Sequence, residues 1–299
     1  MATAFVTGAG GFVGNALVHA LAARGYKVYA LYHAKTIAVD SHRIIALSGD
    51  LNEATQCQKP VDDEIDVFFH LAWKGISSAD YKSVDVQRGN LQLSIRAMKL
   101  AAAMHAKKFV FVGTNQEYLM DENRVDGKDS LSSVYGICKR GAREICAVMA
   151  RNTMEFCATA FTNVFGVGDY SKRTANLFIS KLLRNEPLDL IQGTHPYDWT
   201  YIDDAVEGLI VVGEKGVNGR QYYIGSRTLS TFREIIHQVR DTLAPDVALN
   251  FGKFSDTSYT DYTQFDLDAL YRDTGFECHA DFKESILKTA QWLKETEGK

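Results

Sequence analysis

The feature that most restricts this chain lies at its start. An apolar run over residues 2–7 breaks into Thr7-Gly8-Ala9-Gly10-Gly11-Phe12-Val13-Gly14 and then into an amphipathic stretch from about Asn15. Three spaced glycines alone are a weak signal, because a simple turn gives something similar. Placed after a strand and before a helix, they allow a tight turn and a close approach of backbone to ligand. The helix start adds free N–H groups and a partial positive charge that suit an anion. Gly8, Gly11 and Gly14, with Phe12 and Val13 between them, are therefore read as the pyrophosphate loop of a dinucleotide site.

The first half continues in the same rhythm, with strands expected at 2–7, 27–32, 44–47, 67–71, 108–112 and 155–161 and helices at 15–24, 85–105 and 135–152. Leu91, Ile95, Met98 and Ala102 recur at helical spacing, so 85–105 is the clearest amphipathic helix. Short apolar runs alternating with helical patterns predict an α/β fold, a Rossmann doubly wound parallel sheet. After about residue 161 helices are expected at 175–185, 202–213, 231–244 and 283–295, with strand-like runs at 189–192 and 221–224. This reads as a smaller C-terminal α+β substrate-binding portion. The expected division is 1–160 for the dinucleotide and 161–299 mainly for substrate, with the chain returning to the sheet around 199–225. With four prolines and no linker or repeat, the two parts should pack as one unit with a cleft between them.

Composition excludes several function classes. Of 299 residues, 46% are apolar and 23% charged, the profile of a chain that buries a core. Basic and acidic side chains number 33 and 37, with no dense basic tract, so nucleic acid is not an expected partner. No stretch approaches the roughly 18 apolar residues that span a bilayer, and the chain opens into a strand rather than a signal sequence, so no membrane role and a cytoplasmic location are expected. The five cysteines, Cys57, Cys138, Cys146, Cys157 and Cys278, lack metal-ligand spacing and read as reduced thiols. No histidine pattern suggests a metal.

Nicotinamide cofactors are told apart at the end of the second strand, where a carboxylate suits NAD and a cation suits the extra phosphate of NADP. Here Tyr32 and His33 are followed by Lys35, and no carboxylate appears before Asp40, so the cofactor is read as NAD(P), leaning to NADP. Asp50, followed by Leu51, would accept from the adenine amino group or cap a helix.

Tyr135 and Lys139 stand at i and i+4 on one helix face. An ammonium beside a phenol favours phenolate, lowering the tyrosine toward neutrality so that it can exchange a proton with a sugar hydroxyl or ketone. One such spacing is expected by chance among 14 tyrosines. Its place some twenty residues beyond the strand at 108–112, with Thr114 at that strand's end, makes it informative.

These residues resemble the extended short-chain dehydrogenase/reductase superfamily, in its branch of NAD(P)-dependent nucleotide-sugar epimerases, dehydratases and reductases. The resemblance runs through the glycine loop, Gly49-Asp50-Leu51, His70-Leu71-Ala72-Trp73, Asn90, Val112-Gly113-Thr114 with Glu117-Tyr118, Tyr135 and Lys139, Asn163-Val164-Phe165-Gly166, and Asp198-Trp199-Thr200-Tyr201-Ile202-Asp203-Asp204. It continues to Gly275-Phe276 and Trp292-Leu293. It implies Tyr135 as acid/base, Lys139 as its partner on the nicotinamide ribose, and Thr114 as the accompanying hydroxyl. Leu71, Ala72, Trp73, Asn90 and Phe161 are implied as further cofactor contacts. Asn163, Asn176 and Leu177 are implied where the family contacts the nucleotide diphosphate, and Trp73, Thr114, Glu117 and Arg173 are read from their positions as further substrate-side residues.

Two departures limit the transfer. The Asp-Glu pair that dehydratases carry after the threonine is Asn115-Gln116 here, amides that cannot move protons. The arginines usual before the two substrate segments are Ala160 and Tyr197, leaving Lys172, Arg173 or Arg227 for a diphosphate. Trp73 would wall the pocket or fill the core; Glu117 would orient a sugar hydroxyl or bond to backbone; Cys138 reads as a packed thiol. The expected function is an NAD(P)-dependent nucleotide-sugar C4 epimerase or 4-ketoreductase, with a non-catalytic dinucleotide-binding redox sensor as the alternative. A homodimer is expected through 85–105 and 135–152, with Leu93, Ala97, Ile145 and Met149 at the seam unless they face the sheet.

Overall fold

The computed structural model describes residues 1–51, 61–76, 79–121, 130–131, 133–256 and 258–296; Cys57 lies outside them. Seven strands form one parallel sheet: β1 (Thr3–Thr7), β2 (Lys27–Tyr32), β3 (Ile44–Ser48), β4 (Val67–His70), β5 (Lys108–Val112), β6 (Glu155–Ala160) and β7 (Gln221–Tyr223). Their order is β7-β6-β5-β4-β1-β2-β3. β1, β4 and β5 are buried along their whole length, as expected of inner parallel strands covered on both faces, whereas the edge strand β3 alternates in burial. In register across β1, β4, β5 and β6, the rings of Phe5, Phe68, Phe109 and Phe156 stack at centroid distances of 5.0, 5.1 and 6.2 Å.

Helices cover both faces. On one lie α1 (Phe12–Ala23) and α5 (Ile202–Lys215), packed through Leu17, Leu21, Val206 and Leu209. On the other lie α2 (Val84–Ala103) and α3 (Val134–Ala150), packed through Leu93, Ala97, Met98, Ala142 and Cys146. This decides between the two alternatives open for the four seam positions. Leu93 and Ala97 face the sheet, and Met149 packs against the same core, because the inner side of each helix carries its most regular apolar positions. Only Ile145 of the four is exposed, and it shares its face of α3 with exposed Ile137 and Val148.

The later chain supplies α4 (Thr174–Leu183), α6 (Phe232–Leu243), α7 (Ala269–Thr274) and α8 (Phe282–Thr296), with short strand pairs between them. One of these pairs sets Asn163–Phe165 parallel to Trp199–Tyr201. After β1 the chain runs outward through β2 to β3, then crosses back to begin the other half at β4. Open α/β sheets bind ligands beyond the strand ends at such a reversal. Gly8 is where the two halves meet: at φ +74°, a Cβ on it would lie 2.7 Å from the Ala72 backbone nitrogen. Gly14 packs against the same turn, since a Cβ there would lie 2.2 Å from the Gly8 carbonyl oxygen.

Among the described residues, no helix is long and apolar enough to cross a membrane, and no group of three or more His, Cys, Asp or Glu side chains could hold a metal ion. Cys138, Cys146, Cys157 and Cys278 are free thiols.

Candidate active site

Ser133 caps α3 by accepting from the Gly136 N–H at 3.0 Å, and this start carries Tyr135 and Lys139 inward, both buried. Gly136 permits the close approach that makes the site: a Cβ there would lie 2.0 Å from the Gln116 carbonyl oxygen. The helix start thus rests on the single turn Asn115–Tyr118 that follows β5. Thr114 caps that turn in a reciprocal box with Glu117, whose Oε1 accepts from the Thr114 N–H at 3.0 Å. Its other oxygen accepts from Arg143 Nε at 2.7 Å.

Glu117 has no exposure and bonds the Thr114 backbone from beneath, as in one of the two roles left open for it. Burial pushes its carboxyl up, against the pull of Arg143 and the Thr114 N–H. Asn115 Nδ2 donates to Thr260 Oγ1 at 2.8 Å, and its Oδ1 accepts from Thr114 Oγ1 at 3.4 Å. Gln116 accepts from Tyr81 Oη at 2.6 Å, and the Tyr81 ring lies 5.0 Å from that of Tyr135.

The electrostatics correct one expectation. Burial raises the Tyr135 phenol well above its ordinary value, and the groups that draw it back are the Thr114 hydroxyl and the charge of Arg173. Lys139 carries the depressed value, pushed down to about 7 because its ammonium is out of water. That ammonium lies 4.0 Å above the Trp73 ring centre, and the same indole meets the Tyr135 ring edge-on at 5.9 Å. Trp73 therefore packs against both Tyr135 and Lys139 as well as on the core. His70, directly before that loop, bridges Thr7 Oγ1 at 2.8 Å and Ser94 Oγ at 3.0 Å. Burial holds it neutral, down to about 3.

The glycine turn fits a dinucleotide. The N-cap of α1 is Gly11, with no side chain bonded to the first-turn N–H groups, and the turn is too close-packed for any Cβ at Gly8 or Gly14. His33 and Lys35 are exposed beyond β2, and His33 Nδ1 lies 4.0 Å from Asp50 Oδ2. Leu51 and Phe161 are core residues, buried on opposite faces of the sheet. Asn90, read as a cofactor contact, is buried with Oδ1 accepting from Lys74 N–H at 2.8 Å and Nδ2 donating to the Lys74 carbonyl at 2.9 Å. These two bonds fix the turn after Trp73.

On the substrate side, Asn163 Nδ2 donates to the Tyr197 hydroxyl, which occupies the place of the missing arginine. Asn176 Nδ2 donates to the carbonyls of Asp169 and Ser171 at 2.6 and 2.8 Å. Asn176 Oδ1 and Ser171 Oγ are buried with no hydrogen-bond partner among the described residues, and Leu177 is exposed beside them. Of the three candidate cations, Arg227 is taken by Asp268 at 2.7 Å and Glu277 at 3.0 Å, and Lys172 is exposed. Arg173, at the start of α4, acts on both Tyr81 and Tyr135 through its charge.

Tyr81, Gln87 and Arg143 were not singled out by sequence. For Gln87 a signal existed: Gln87, Asn90 and Ser94 form a polar row at helical spacing on the buried side of α2. For Tyr81 and Arg143 no local pattern points to the site.

The sequence profile of the NAD dependent epimerase/dehydratase family matches residues 4–225. UDP-N-acetyl-alpha-D-glucosaminuronate decarboxylase of Bacillus cytotoxicus is 25% identical over 320 residues, 98% of each chain. CDP-abequose synthase of Salmonella muenchen is 23% identical over 256 residues, 83% of each. Among solved structures, UDP-glucose 4-epimerase of Thermotoga maritima has a TM-score of 0.81 at 20% identity, covering 98% of this chain and 99% of that one. UDP-glucuronic acid 4-epimerase of Bacillus cereus, solved with NAD, has a TM-score of 0.77 at 21% identity with the same coverage.

Proposed function

Because the chain belongs to the NAD dependent epimerase/dehydratase family, enzymes of the extended short-chain dehydrogenase type, we propose that it oxidises or reduces C4 of a nucleotide-linked sugar. The net reaction is then C4 epimerisation or 4-ketone reduction. The observation that carries this reading is the placing of Tyr135 and Thr114 together at the carboxyl ends of the strands, beside the glycine turn, with the amides of Asn115 and Gln116 where a dehydratase needs acids.

Tyr135 Oη moves the proton of the C4 hydroxyl, Thr114 Oγ1 holds that oxygen, and Lys139 Nζ orients from below. The residues placed to hold the dinucleotide are Gly8, Gly11 and Gly14 at the pyrophosphate, His33, Lys35 and Asp50 at the adenosine end, and Lys139 at the nicotinamide ribose. Bound there, the nicotinamide ring supplies the hydride acceptor or donor. His33 and Lys35 favour NADP; Asp50, beside His33, is the carboxylate that would favour NAD instead. The Arg173 guanidinium, with the Ser171 hydroxyl as a second donor, supports an anionic group at the start of α4, the diphosphate of the substrate.

A second reading has its own observation. If Arg173 instead takes a substrate carboxylate next to Tyr135, oxidation at C4 of a uronic acid makes a β-keto acid that loses carbon dioxide. Incubation with neutral and uronic UDP- and CDP-sugars, followed by NMR of the products, separates the two. Inversion or reduction at C4 supports the first reading, and carbon dioxide release supports the second. No reaction with any sugar, under dinucleotide saturation, leaves the redox-sensor alternative.

We further propose a homodimer through the exposed face of α3 at Ile137, Ile145 and Val148.

A further inference from the structure

We propose that Trp73 is the positioning residue of this site: its indole face seats the Lys139 ammonium beside Tyr135, and Gln87 clamps the indole in that orientation. The inference rests on the proposed function only through the Tyr135 and Lys139 pair.

The ring is fixed by hydrogen bonds, not by packing alone. Trp73 Nε1 donates to Gln87 Oε1 at 2.9 Å. Gln87 has no exposure, and its Nε2 donates to the carbonyls of Gly75 and Asp80 at 3.1 and 3.0 Å. Asn90 Nδ2 completes the clamp at 3.3 Å from the same Gln87 oxygen. An indole held in this way presents one face to Lys139 Nζ at 4.0 Å and meets the ring of Tyr135 at 86°. A cation within about 6 Å of an indole centre is attracted by the ring quadrupole, and more strongly where water is absent.

Lys139 has need of such a seat. Glu117, the carboxylate whose charge acts on it, is bonded by Arg143 Nε at 2.7 Å, so that charge is shared. The other titratable groups facing the ammonium are His70 on β4, held neutral, and Tyr135 and Cys146 on α3, both kept protonated by burial. The Phe111 ring, 5.1 Å away, adds a second aromatic surface. Burial alone drives the lysine toward its neutral form. The indole opposes that and fixes where the nitrogen lies.

The test reads Lys139 directly, without any substrate. In protein carrying isotope-labelled lysine, the Lys139 side-chain resonance, assigned with a Lys139→Arg variant, is titrated by NMR. Trp73→Leu should lower its midpoint by about one pKa unit, a tenfold change, and Trp73→Phe by less. An unchanged midpoint in both variants overturns the proposal. If Trp73→Leu does not fold, the unmutated protein still decides. The Trp73 indole N–H resonance should titrate with the Lys139 midpoint, and an indole signal indifferent to that titration contradicts the seat. A protein inert toward every sugar would overturn the proposed reaction and leave this result standing.

Discussion

Tyr81 donates its phenolic hydrogen to Gln116 Oε1 across 2.6 Å, with its ring 5.0 Å from that of Tyr135. A neutral amide therefore answers a neutral phenol beside Tyr135. The turn that carries Gln116 is the one against which Gly136 allows α3 to close.

Tyr81→Phe removes this bond and keeps the ring contact. Since a hydrogen bond of this kind contributes about 0.5–1.5 kcal/mol, turnover should fall roughly 2–12-fold with the fold intact. Steady-state kinetics check it; a loss as deep as that of Tyr135→Phe would instead make Tyr81 a proton carrier.

Arg143→Met leaves the Glu117 carboxylate buried without its guanidinium. Breaking such a pair costs about 3–5 kcal/mol. The melting temperature should drop by roughly 5–8 °C. Calorimetry showing a change of a degree or less would mean that the pair is not a buried charge pair.

Lys139→Met should stabilise the protein at neutral pH while abolishing activity. The folded-state value of Lys139, about 7, lies below the ordinary 10.5, so between these values the unfolded chain holds more protons and stability rises with pH. The penalty is complete below pH 7, where the variant should lead by a few kcal/mol, on the order of the linkage limit. Urea midpoints at neutral and alkaline pH should show that lead shrinking; a lead that does not change with pH would contradict the depressed lysine.

Ile145→Glu together with Val148→Glu should convert the proposed dimer to a folded monomer, read by light scattering. Leu93→Glu should unfold the chain instead, because Leu93 is in the core. A wild-type mass of one chain at micromolar concentration would remove the dimer from the account.

The sheet was legible because inner parallel strands read as unbroken apolar runs and the glycine turn marks where the first of them ends. Boundaries moved by a few residues where local geometry decided them: α2 begins after the Ser83 cap, and α1 begins at Phe12, inside the glycine loop. Tyr135 and Lys139 were legible because helical spacing puts them on one side. The direction of their pKa shifts was not, because burial outweighs the pair's mutual effect and burial has no sequence spacing. The cover of Leu93 and Ala97 stayed open for a related reason: apolar periodicity finds a buried face and cannot say whether sheet or partner covers it. Tyr81 lies 54 positions before Tyr135, and only the return of the chain from β4 brings the two rings together.

The most direct test of the central claim is a comparison of wild type with Tyr135→Phe. Each is loaded with dinucleotide and mixed with the panel of nucleotide sugars, while nicotinamide absorbance and sugar products are followed. The account predicts a C4-altered product from at least one sugar with the wild type, and a loss of about 10²–10⁴-fold in the variant with dinucleotide affinity kept. Equal behaviour of the two proteins toward every sugar would contradict it.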